Sequence, residues 1–353
     1  MNIQNYNVVG VMSGTSLDGI DLAHILLQFC NGKWQFEIHN AETISYDEYW
    51  LNKLRDAVGF SADKLLKLNK EYTVHLASVI KDFIATHNIS DLDAVCSHGH
   101  TILHQPHAGI TLQIGNLPEI ANLTDQRVVC DFRVQDVELG GQGAPLVPIG
   151  DRLLFAEYDY CLNLGGFSNI SFEDVAGRIA FDICPVNTGL NFYANKLGLD
   201  YDDGGKIASE GKIIDELLIE LDSIDFYAQP YPKSLGFEFV KGTILPMIEK
   251  YDRPEADKLR TFCEHIAIQI AQVLKSGSML VTGGGVYNNL LMKRLRHMAP
   301  QINIVVPNDK TIQYKEALIF ALLGVLRLRG DSNVLSSVTG AERDHSSGNI
   351  FEP

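Results

Sequence analysis

The chain has 353 residues, and 29 Lys and Arg against 44 Asp and Glu give it a formal net charge of −15. This acidity disfavours binding to nucleic acid through a basic surface, and no polybasic segment points to a membrane surface. The six cysteines have no CxxC spacing, so we expect free thiols in a reducing compartment rather than a disulfide or zinc framework. The first residues lack the pattern of a signal peptide, and no apolar run reaches the roughly 18 residues of a membrane span, so we expect a cytoplasmic protein.

The first half of the chain predicts three strands followed by alternating helix and strand. The strands are at 7–12, 20–29 and 34–45, and Asn31-Gly32 between the last two is typical of a tight hairpin. Tyr72, Leu76, Val79 and Phe83 recur at spacings of four and three, which predicts one buried helix face. Shorter apolar runs at 94–96, 111–114 and 128–132 follow.

The second half repeats this order. Strands are predicted at 161–164, 170–172 and 179–182, then an amphipathic helix through 259–273, strands at 279–282 and 302–306, and a helix at 317–328. At about 150 residues per domain, the length also predicts two domains. We therefore expect two mixed-sheet α/β domains, one at 1–140 plus 331–353 and the other at 141–330, with the Gly-rich stretch 140–145 as the crossing between them.

Two turns have the composition of a phosphate-binding loop. The segment 12–21 holds two glycines and three hydroxyl side chains between two strands, and Asp18 within it could bind Mg²⁺ through water. A hairpin turn closed by Asx or Ser hydrogen bonds is the structural alternative. The segment 163–169, with Gly165-Gly166, has the same place in the second half, so the two turns together favour a polyphosphate ligand.

A third candidate is the glycine triplet 283–285, which lies between a predicted strand and a helix. It lets a flat ring or a phosphate approach the backbone closely. The spacing does not fit the dinucleotide fingerprint GxGxxG, and no Gly-Lys-Ser/Thr of a P-loop is present.

Two further sites rest on single side chains. His98 and His100 follow a strand and have the spacing of a metal hydrolase pair, but no other clustered His, Cys or carboxylate set completes a metal site, so polar ligand contacts or loop packing are favoured. Asp182 ends the third strand of the second half, where open α/β sheets bind ligands. Its alternative role is to cap the helix that begins near Asn187.

The motifs in chain order resemble the anhydro-N-acetylmuramic acid kinases, which belong to the superfamily of sugar kinases, actin and the 70-kDa heat-shock ATPases. The resemblance rests on 10–21 (GVMSGTSLDGID) and on 97–99, 111–115, 131–133, 140–148, 163–166, 181–182, 232–234, 282–285 and 337–340. It implies a two-domain actin-like ATPase (ribonuclease H-like) fold with an interdomain cleft, and a homodimer.

The resemblance also implies a reaction and its residues. ATP and water would convert 1,6-anhydro-N-acetylmuramic acid to N-acetylmuramic acid 6-phosphate, with Asp182 as the base that activates water and Mg²⁺ as cofactor. Arg133, Gly143 and Glu316 match polar positions expected near the sugar. The positions expected to bind ATP are Gly14, Thr15, Ser16, Leu17, Asp18, Gly19, Ile20, Asp21, Gly165, Gly166, Gly283, Gly284, Gly285 and Asn288.

The sequence departs from the family pattern beside the base. The segment 183–187 reads Ile-Cys-Pro-Val-Asn where the family usually has Thr-Gly-Pro-Gly-Asn, His100 stands where glutamine is common, and Phe237 replaces an expected arginine. Three alternatives therefore stay open: another sugar kinase, a non-catalytic nucleotide switch of the same superfamily, and a metal-dependent hydrolase that uses His98 and His100.

Overall fold

A computed structural model describes residues 3–14, 17–175 and 177–353. The chain divides into two compact units, the first formed by Met1–Leu154 with Tyr314–Pro353 and the second by Phe155–Gln313. The chain therefore passes from one unit to the other at 154/155 and at 313/314. Residues 141–154 and 314–330, which we expected in the second domain, pack in the first unit, and the Gly-rich stretch 140–145 lies inside that unit.

The first unit is built on a mixed sheet of seven strands. They are β1 Gln4–Ser13, β2 Ile20–Cys30, β3 Lys33–Ile44, β4 Ala94–Gln105, β5 Ile110–Ile114, β6 Val128–Cys130 and, near the end of the chain, β12 Asn349–Phe351. Their order in the sheet is β12-β6-β4-β1-β2-β3, and β5 pairs with β4. β1 pairs antiparallel with β2 and parallel with β4, and β4 pairs parallel with β6. The helices are α1 Glu48–Asp56, α2 Ala62–Thr86, α3 Glu119–Thr124, α4 Val134–Glu138 and α5 Val147–Leu154, and later α15 Ser336–Thr339 and, from Tyr314 onward, α14 Asp309–Arg329.

The second unit has a mixed sheet of five strands, which are β7 Tyr160–Leu164, β8 Phe167–Asp174, β9 Gly177–Pro185, β10 Gly277–Thr282 and β11 Ile302–Val305. Their order in the sheet is β11-β10-β7-β8-β9. β7, β8 and β9 form an antiparallel meander, and β10 and β11 continue from β7 in parallel. The helices are α6 Asn187–Lys196, α7 Lys206–Glu210, α8 Asp215–Asp222, α9 Asp225–Ala228, α10 Phe237–Phe239, α11 Leu245–Glu249, α12 Glu255–Val273 and α13 Asn289–Met298.

The two sheets share one plan. In each unit a three-stranded antiparallel meander is extended by strands parallel to its first strand. This repetition confirms the predicted fold class of duplicated mixed-sheet α/β domains.

Local sequence explains how several of these elements begin and end. Asn31 and Gly32 both have positive φ, 51° and 78°, as a two-residue type I′ hairpin requires, so the predicted Asn-Gly turn joins β2 to β3. The predicted apolar face of α2 is buried, with Tyr72 and Leu76 at 0% exposure. It packs on the sheet of the first unit, and α12 provides the corresponding face in the second unit.

Two elements differ from the sequence-based expectation. β4 runs from Ala94 to Gln105, so His98 and His100 lie within a strand and not in a loop after it. β12 was not predicted, because three residues near the chain end carry no periodic signal. All six cysteines are free, as predicted, and five of them are buried. No helix in the described part of the chain is long and apolar enough to span a membrane.

Candidate active site

Most of the predicted site residues of the second unit lie at one edge of its sheet. β7, β9 and β10 all run in the same direction, so their carboxyl ends meet at this edge. Gly165-Gly166 follows β7, Asp182 lies near the end of β9, and the glycine triplet 283–285 follows β10. Open α/β sheets bind ligands at such an edge, which makes this edge the candidate site of the second unit.

A β-bulge interrupts β9 directly after Asp182. Asn169 pairs with Asp182 and Ser168 pairs with Cys184, so Ile183 is an extra residue in β9. Bulges re-aim neighbouring side chains, often beside active sites. Ile183 is 2% exposed and joins the core, which explains why an apolar residue fits where the family usually has threonine.

Asp182 is a half-buried carboxylate held by backbone groups. The Leu235 N–H donates to Asp182 Oδ2 at 2.8 Å, and the Asp182 N–H donates to the Lys233 carbonyl at 3.0 Å. Burial raises the pKa of Asp182 above its ordinary value, and the Leu235 hydrogen bond only partly offsets this. Asp182 does not cap α6, because Val186 is the residue at that position. A carboxylate with a raised pKa is suited to accept a proton near neutral pH.

The Gly165-Gly166 turn is tied to the start of α6. The Gly165 carbonyl accepts from the Asn187 N–H at 3.2 Å, and the Gly166 carbonyl accepts from the Val186 N–H at 2.8 Å and from the Thr188 hydroxyl at 2.8 Å. The turn is thereby fixed in position beside the end of β9.

A cavity of about 440 Å³ lies next to this turn, wholly within the second unit. Gly284, Gly285 and Asn288, three of the predicted ATP contacts, line it. The other lining residues are Asn187, Leu190, Asn191, Tyr201, Asp202, Asp203, Gly204 and Tyr287. Asn288 also caps α13, since its Oδ1 accepts from the Leu291 N–H at 3.0 Å. Exposed tyrosine rings with amide groups provide stacking and hydrogen bonding for a flat heterocycle.

Gly283 and Gly284 of the triplet differ in their surroundings. Gly283 has φ +83°, and a Cβ there would lie 2.5 Å from Asn163 Oδ1 and 2.8 Å from the Leu164 carbonyl carbon. Gly284 is exposed, and a Cβ there would meet only Asn187 Nδ2, at 3.8 Å. Gly283 is therefore needed for close packing of the backbone, whereas Gly284 faces the cavity.

In the first unit, the opening turn connects β1 to β2. Thr15 and Ser16 lie outside the described residues, and Gly14 and Leu17 flank them. Ser13, at the end of β1, is 1% exposed, and its Oγ lies 2.7 Å from Tyr46 Oη and 2.8 Å from His100 Nδ1. This hydroxyl is thus held within the protein.

Two carboxylates lie close to this turn. Asp18 is exposed, whereas Asp21 is half-buried and its Oδ1 accepts from the Thr43 hydroxyl at 2.6 Å. The pKa of Asp21 is raised, mainly by burial and also by the charge of Asp18. Gly19 and Ile20, between them, are buried.

Arg133 follows β6, which runs parallel to β1, so it lies at the same edge of the sheet as the opening turn. Its guanidinium is held from two sides. Its Nε donates to His98 Nε2 at 2.9 Å, and its Nη1 donates to the Gly143 carbonyl at 2.6 Å. The Gly143 N–H in turn donates to the fully buried Asp136 carboxylate at 2.6 Å. Burial lowers the pKa of Arg133 to about 10, so the guanidinium remains charged at neutral pH. The predicted sugar-binding pair Arg133 and Gly143 is therefore one hydrogen-bonded group.

Glu316, the third residue expected near the sugar, interacts electrostatically with this group. The Glu316 side chain is accessible to solvent, yet the surrounding protein displaces enough water to raise its pKa. This rise is larger than the lowering of the pKa by the positive charge of Arg133. Asp21 raises the pKa of Glu316 further. The first unit thus gathers one guanidinium and two carboxylates with raised pKa values.

The histidine pair does not form a metal site. His98 Nδ1 donates to the Gly99 carbonyl at 2.9 Å, which leaves Nε2 as the acceptor for Arg133, and burial holds the pKa of His98 well below its usual range. His100 bonds to Ser13, and burial lowers its pKa to about 4. In residues 3–14, 17–175 and 177–353, no three His, Cys, Asp or Glu side chains are placed to hold a metal ion.

Several residues of the site were not identified from the sequence. Lys233 and Leu235, which contact Asp182, lie more than 50 residues after it, and only the family motif at 232–234 marked their neighbourhood. Tyr201, Tyr287 and Asn191 carry no pattern that marks a cavity.

Comparisons with known proteins agree on one family. A family model described as anhydro-N-acetylmuramic acid kinase matches residues 6–353. A protein named anhydro-N-acetylmuramic acid kinase from Aliivibrio fischeri is 35% identical over 367 residues, which cover 97% of this chain and 98% of that protein. One of the same name from Shewanella amazonensis is 33% identical over 355 residues, covering 95% and 96% of the two chains.

Among solved structures, component A of (R)-2-hydroxyglutaryl-CoA dehydratase from Acidaminococcus fermentans matches with a TM-score of 0.45 and 12% identity. The match covers 90% of this chain and 97% of that chain.

Proposed function

The chain belongs to the anhydro-N-acetylmuramic acid kinase family, and we propose that it uses ATP and water to convert 1,6-anhydro-N-acetylmuramic acid to N-acetylmuramic acid 6-phosphate. The observation that supports this most strongly is the family match over residues 6–353, because it includes both glycine turns and Asp182. The product would return a cell-wall sugar to metabolism, in keeping with peptidoglycan recycling in the cytoplasm.

Asp182 acts as the general base in this proposal. Its carboxylate takes a proton from a water molecule, the water oxygen attacks the anomeric carbon C1, and the C1–O6 bond of the anhydro bridge breaks. The released O6 attacks the γ-phosphorus of ATP, so that ADP leaves. A positioned base contributes about 10²–10⁴-fold to the rate. The single backbone hydrogen bond to Oδ2 orients the carboxylate while burial keeps its pKa raised.

The second unit binds the nucleotide base and ribose in this account. The 440 Å³ cavity has room for an adenosine, with Gly284 giving close access to the backbone and Tyr201 and Tyr287 offering ring contacts. Gly283 and Gly285 would shape this cavity. Gly165 and Gly166 of this unit would hold phosphate through backbone N–H groups, and the opening turn of the first unit has the same phosphate-binding composition.

Mg²⁺ fits the residues of the opening turn. Mg²⁺ in kinases keeps several waters and binds one or two carboxylates together with substrate phosphates. Asp18 is an exposed carboxylate whose charge acts on the half-buried Asp21, and a cation relieves such like-charge repulsion. Asp18 would hold the ion through water, and the bound ion would neutralise charge on the transferring phosphoryl group.

Arg133 would bind the lactyl carboxylate of the sugar. Its Nε and one Nη are engaged by His98 and Gly143, so its remaining N–H groups have a fixed direction. Charged, pre-oriented donors of this kind are strong carboxylate ligands. Glu316, within the electrostatic reach of Arg133, would accept from a sugar hydroxyl or amide.

We also propose that the protein forms a homodimer.

Isotope labelling tests the reaction directly. In ¹⁸O-water with ATP and Mg²⁺, rapidly quenched product should carry one ¹⁸O, in the hydroxyl on C1, because the water oxygen attacks C1. The phosphoryl group should carry none, because O6 attacks phosphorus. A panel of reducing amino sugars serves as the control for another sugar kinase. Phosphorylation of those sugars but not of the anhydro-sugar would reject the proposed substrate.

A further inference from the structure

The loop 229–236, which joins α9 to α10, holds Asp182 at two points. The Asp182 N–H donates to the Lys233 carbonyl at 3.0 Å, and the Leu235 N–H donates to Asp182 Oδ2 at 2.8 Å. Both contacts come from the backbone, so the position of the carboxylate depends on where this loop is held. On the preceding side, the Tyr231 ring stacks on Phe181 with centroids 5.2 Å apart.

The Lys233 side chain fixes the loop to α9. Its Nζ donates to the carbonyls of Phe226 at 3.1 Å and of Tyr227 at 3.0 Å. The same Nζ lies 4.8 Å from the centroid of the Phe226 ring. A lysine with two backbone acceptors and an aromatic face has given up much of its side-chain freedom, which is the behaviour of an anchor.

α9 is itself fixed to the core of the second unit. Tyr227 Oη lies 3.0 Å from His265 Nε2, and His265 Nδ1 lies 2.6 Å from Asp222 Oδ1. The carboxylate accepts from Nδ1–H, so Nε2 accepts from the Tyr227 hydroxyl. His265 is fully buried in α12, and Gln269 Nε2 also donates to Asp222, at 2.9 Å. α9, to which the Lys233 side chain binds, is therefore held rigidly.

We propose that Lys233 is a positioning residue for Asp182: its side chain holds the 229–236 loop on α9, and the loop holds the carboxylate through Leu235. This rests on the proposed function, in which Asp182 is the base. A hydrogen bond to the charged form of a carboxylate favours that form. Loss of the anchor should therefore misplace the carboxylate and raise its pKa further.

Few other titratable groups face this arrangement. Cys184 on β9 has its pKa raised to about 12 by burial, and Tyr227 on α9 also has a raised pKa, so both stay protonated at neutral pH. His265 on α12 has its pKa lowered by burial despite Asp222 on α8. The charge of Lys233 also acts on Cys184, two residues after Asp182, so the effect of the loop is the difference between Lys233→Met and Lys233→Gln, which lose the same charge.

The direct test follows the Asp182 carboxyl by ¹³C NMR in Asp-labelled protein, with its signal assigned by its loss in Asp182→Asn. In Lys233→Met the pKa of Asp182 should rise by at least about half a unit, and kcat should fall about tenfold while KM for ATP stays within about twofold. Lys233→Arg, which can donate to both carbonyls, should restore both values. Lys241→Met, at an exposed lysine after α10, is the matched control and should behave as the wild type.

An unchanged Asp182 pKa and an unchanged kcat in Lys233→Met would overturn the proposal. Should that variant not fold, Lys233→Gln replaces it, because the amide can still donate to one carbonyl and a smaller change in the same direction is expected; no change there would equally overturn it. The NMR titration does not depend on turnover. A wild type that never releases ADP with the anhydro-sugar would reject the proposed function and leave the pKa comparison to decide the role of Lys233.

Discussion

Asp182 is the side chain on which the proposed chemistry depends. Asp182→Asn keeps the size of the side chain and its acceptor for the Leu235 N–H, but removes the proton acceptor. We expect kcat to fall by about 10²–10⁴-fold, with the Kd for ATP nearly unchanged, in an ADP-release assay and a nucleotide titration. Asp252→Asn, at an exposed position, is the control. Turnover of Asp182→Asn within tenfold of the wild type would remove Asp182 from the role of base.

The same residue predicts a pH dependence. The base works only when deprotonated, and burial raises its pKa. Activity should therefore be lost as the pH falls, and the midpoint of this acidic limb in kcat/KM should lie above about 3.9, the value of an ordinary aspartate. In Asp182→Asn the residual activity should lack this limb. An acidic limb at the ordinary aspartate value would show that burial does not control the group.

At the scale of elements, the glycine triplet after β10 separates packing from binding. Gly283→Ala puts a Cβ against Asn163 and Leu164 at positive φ, and should destabilise the protein by about 1–3 kcal/mol. Gly284→Ala has open space, so stability should change by less than about 0.5 kcal/mol while KM for ATP rises. Denaturant unfolding and steady-state kinetics measure the two effects. Equal loss of stability in both variants would contradict this division.

The elements also show what the sequence could predict. The β2–β3 hairpin and the buried face of α2 follow from local patterns, Asn31-Gly32 and the spacing from Tyr72 to Phe83, and both were confirmed. The hydrogen bond from the Leu235 N–H to Asp182 joins residues 53 positions apart, so no local sequence pattern predicts it. The bulge at Ile183 was also unpredicted, because it depends on how β8 pairs with β9.

At the scale of the whole molecule, the second unit is continuous in sequence and has its own core. Phe155–Gln313 contains a buried cluster that draws on its sheet and its helices, and its length is close to that of a typical domain. We expect a protein of residues 155–313 to fold cooperatively by circular dichroism and to bind a fluorescent ATP analogue weakly. A chain that melts without a transition would contradict this.

The boundary of that unit could not be placed from composition. The Gly-rich stretch 140–145 has the sequence character of a linker, but Gly143 is bound to Asp136, and the Gln142 N–H donates to the Thr339 carbonyl at 2.8 Å. Both partners belong to the first unit. Loop composition therefore marks a turn here and not a boundary, since the distinction depends on contacts with residues some 200 positions away.

The most direct test of the proposed kinase activity is to measure ADP release by the full chain with ATP and Mg²⁺, with and without 1,6-anhydro-N-acetylmuramic acid. We predict release only when the anhydro-sugar is present, with one ADP formed for each N-acetylmuramic acid 6-phosphate detected by mass spectrometry. ADP release at the same rate without the sugar would instead identify a nucleotide switch and would contradict the proposed kinase.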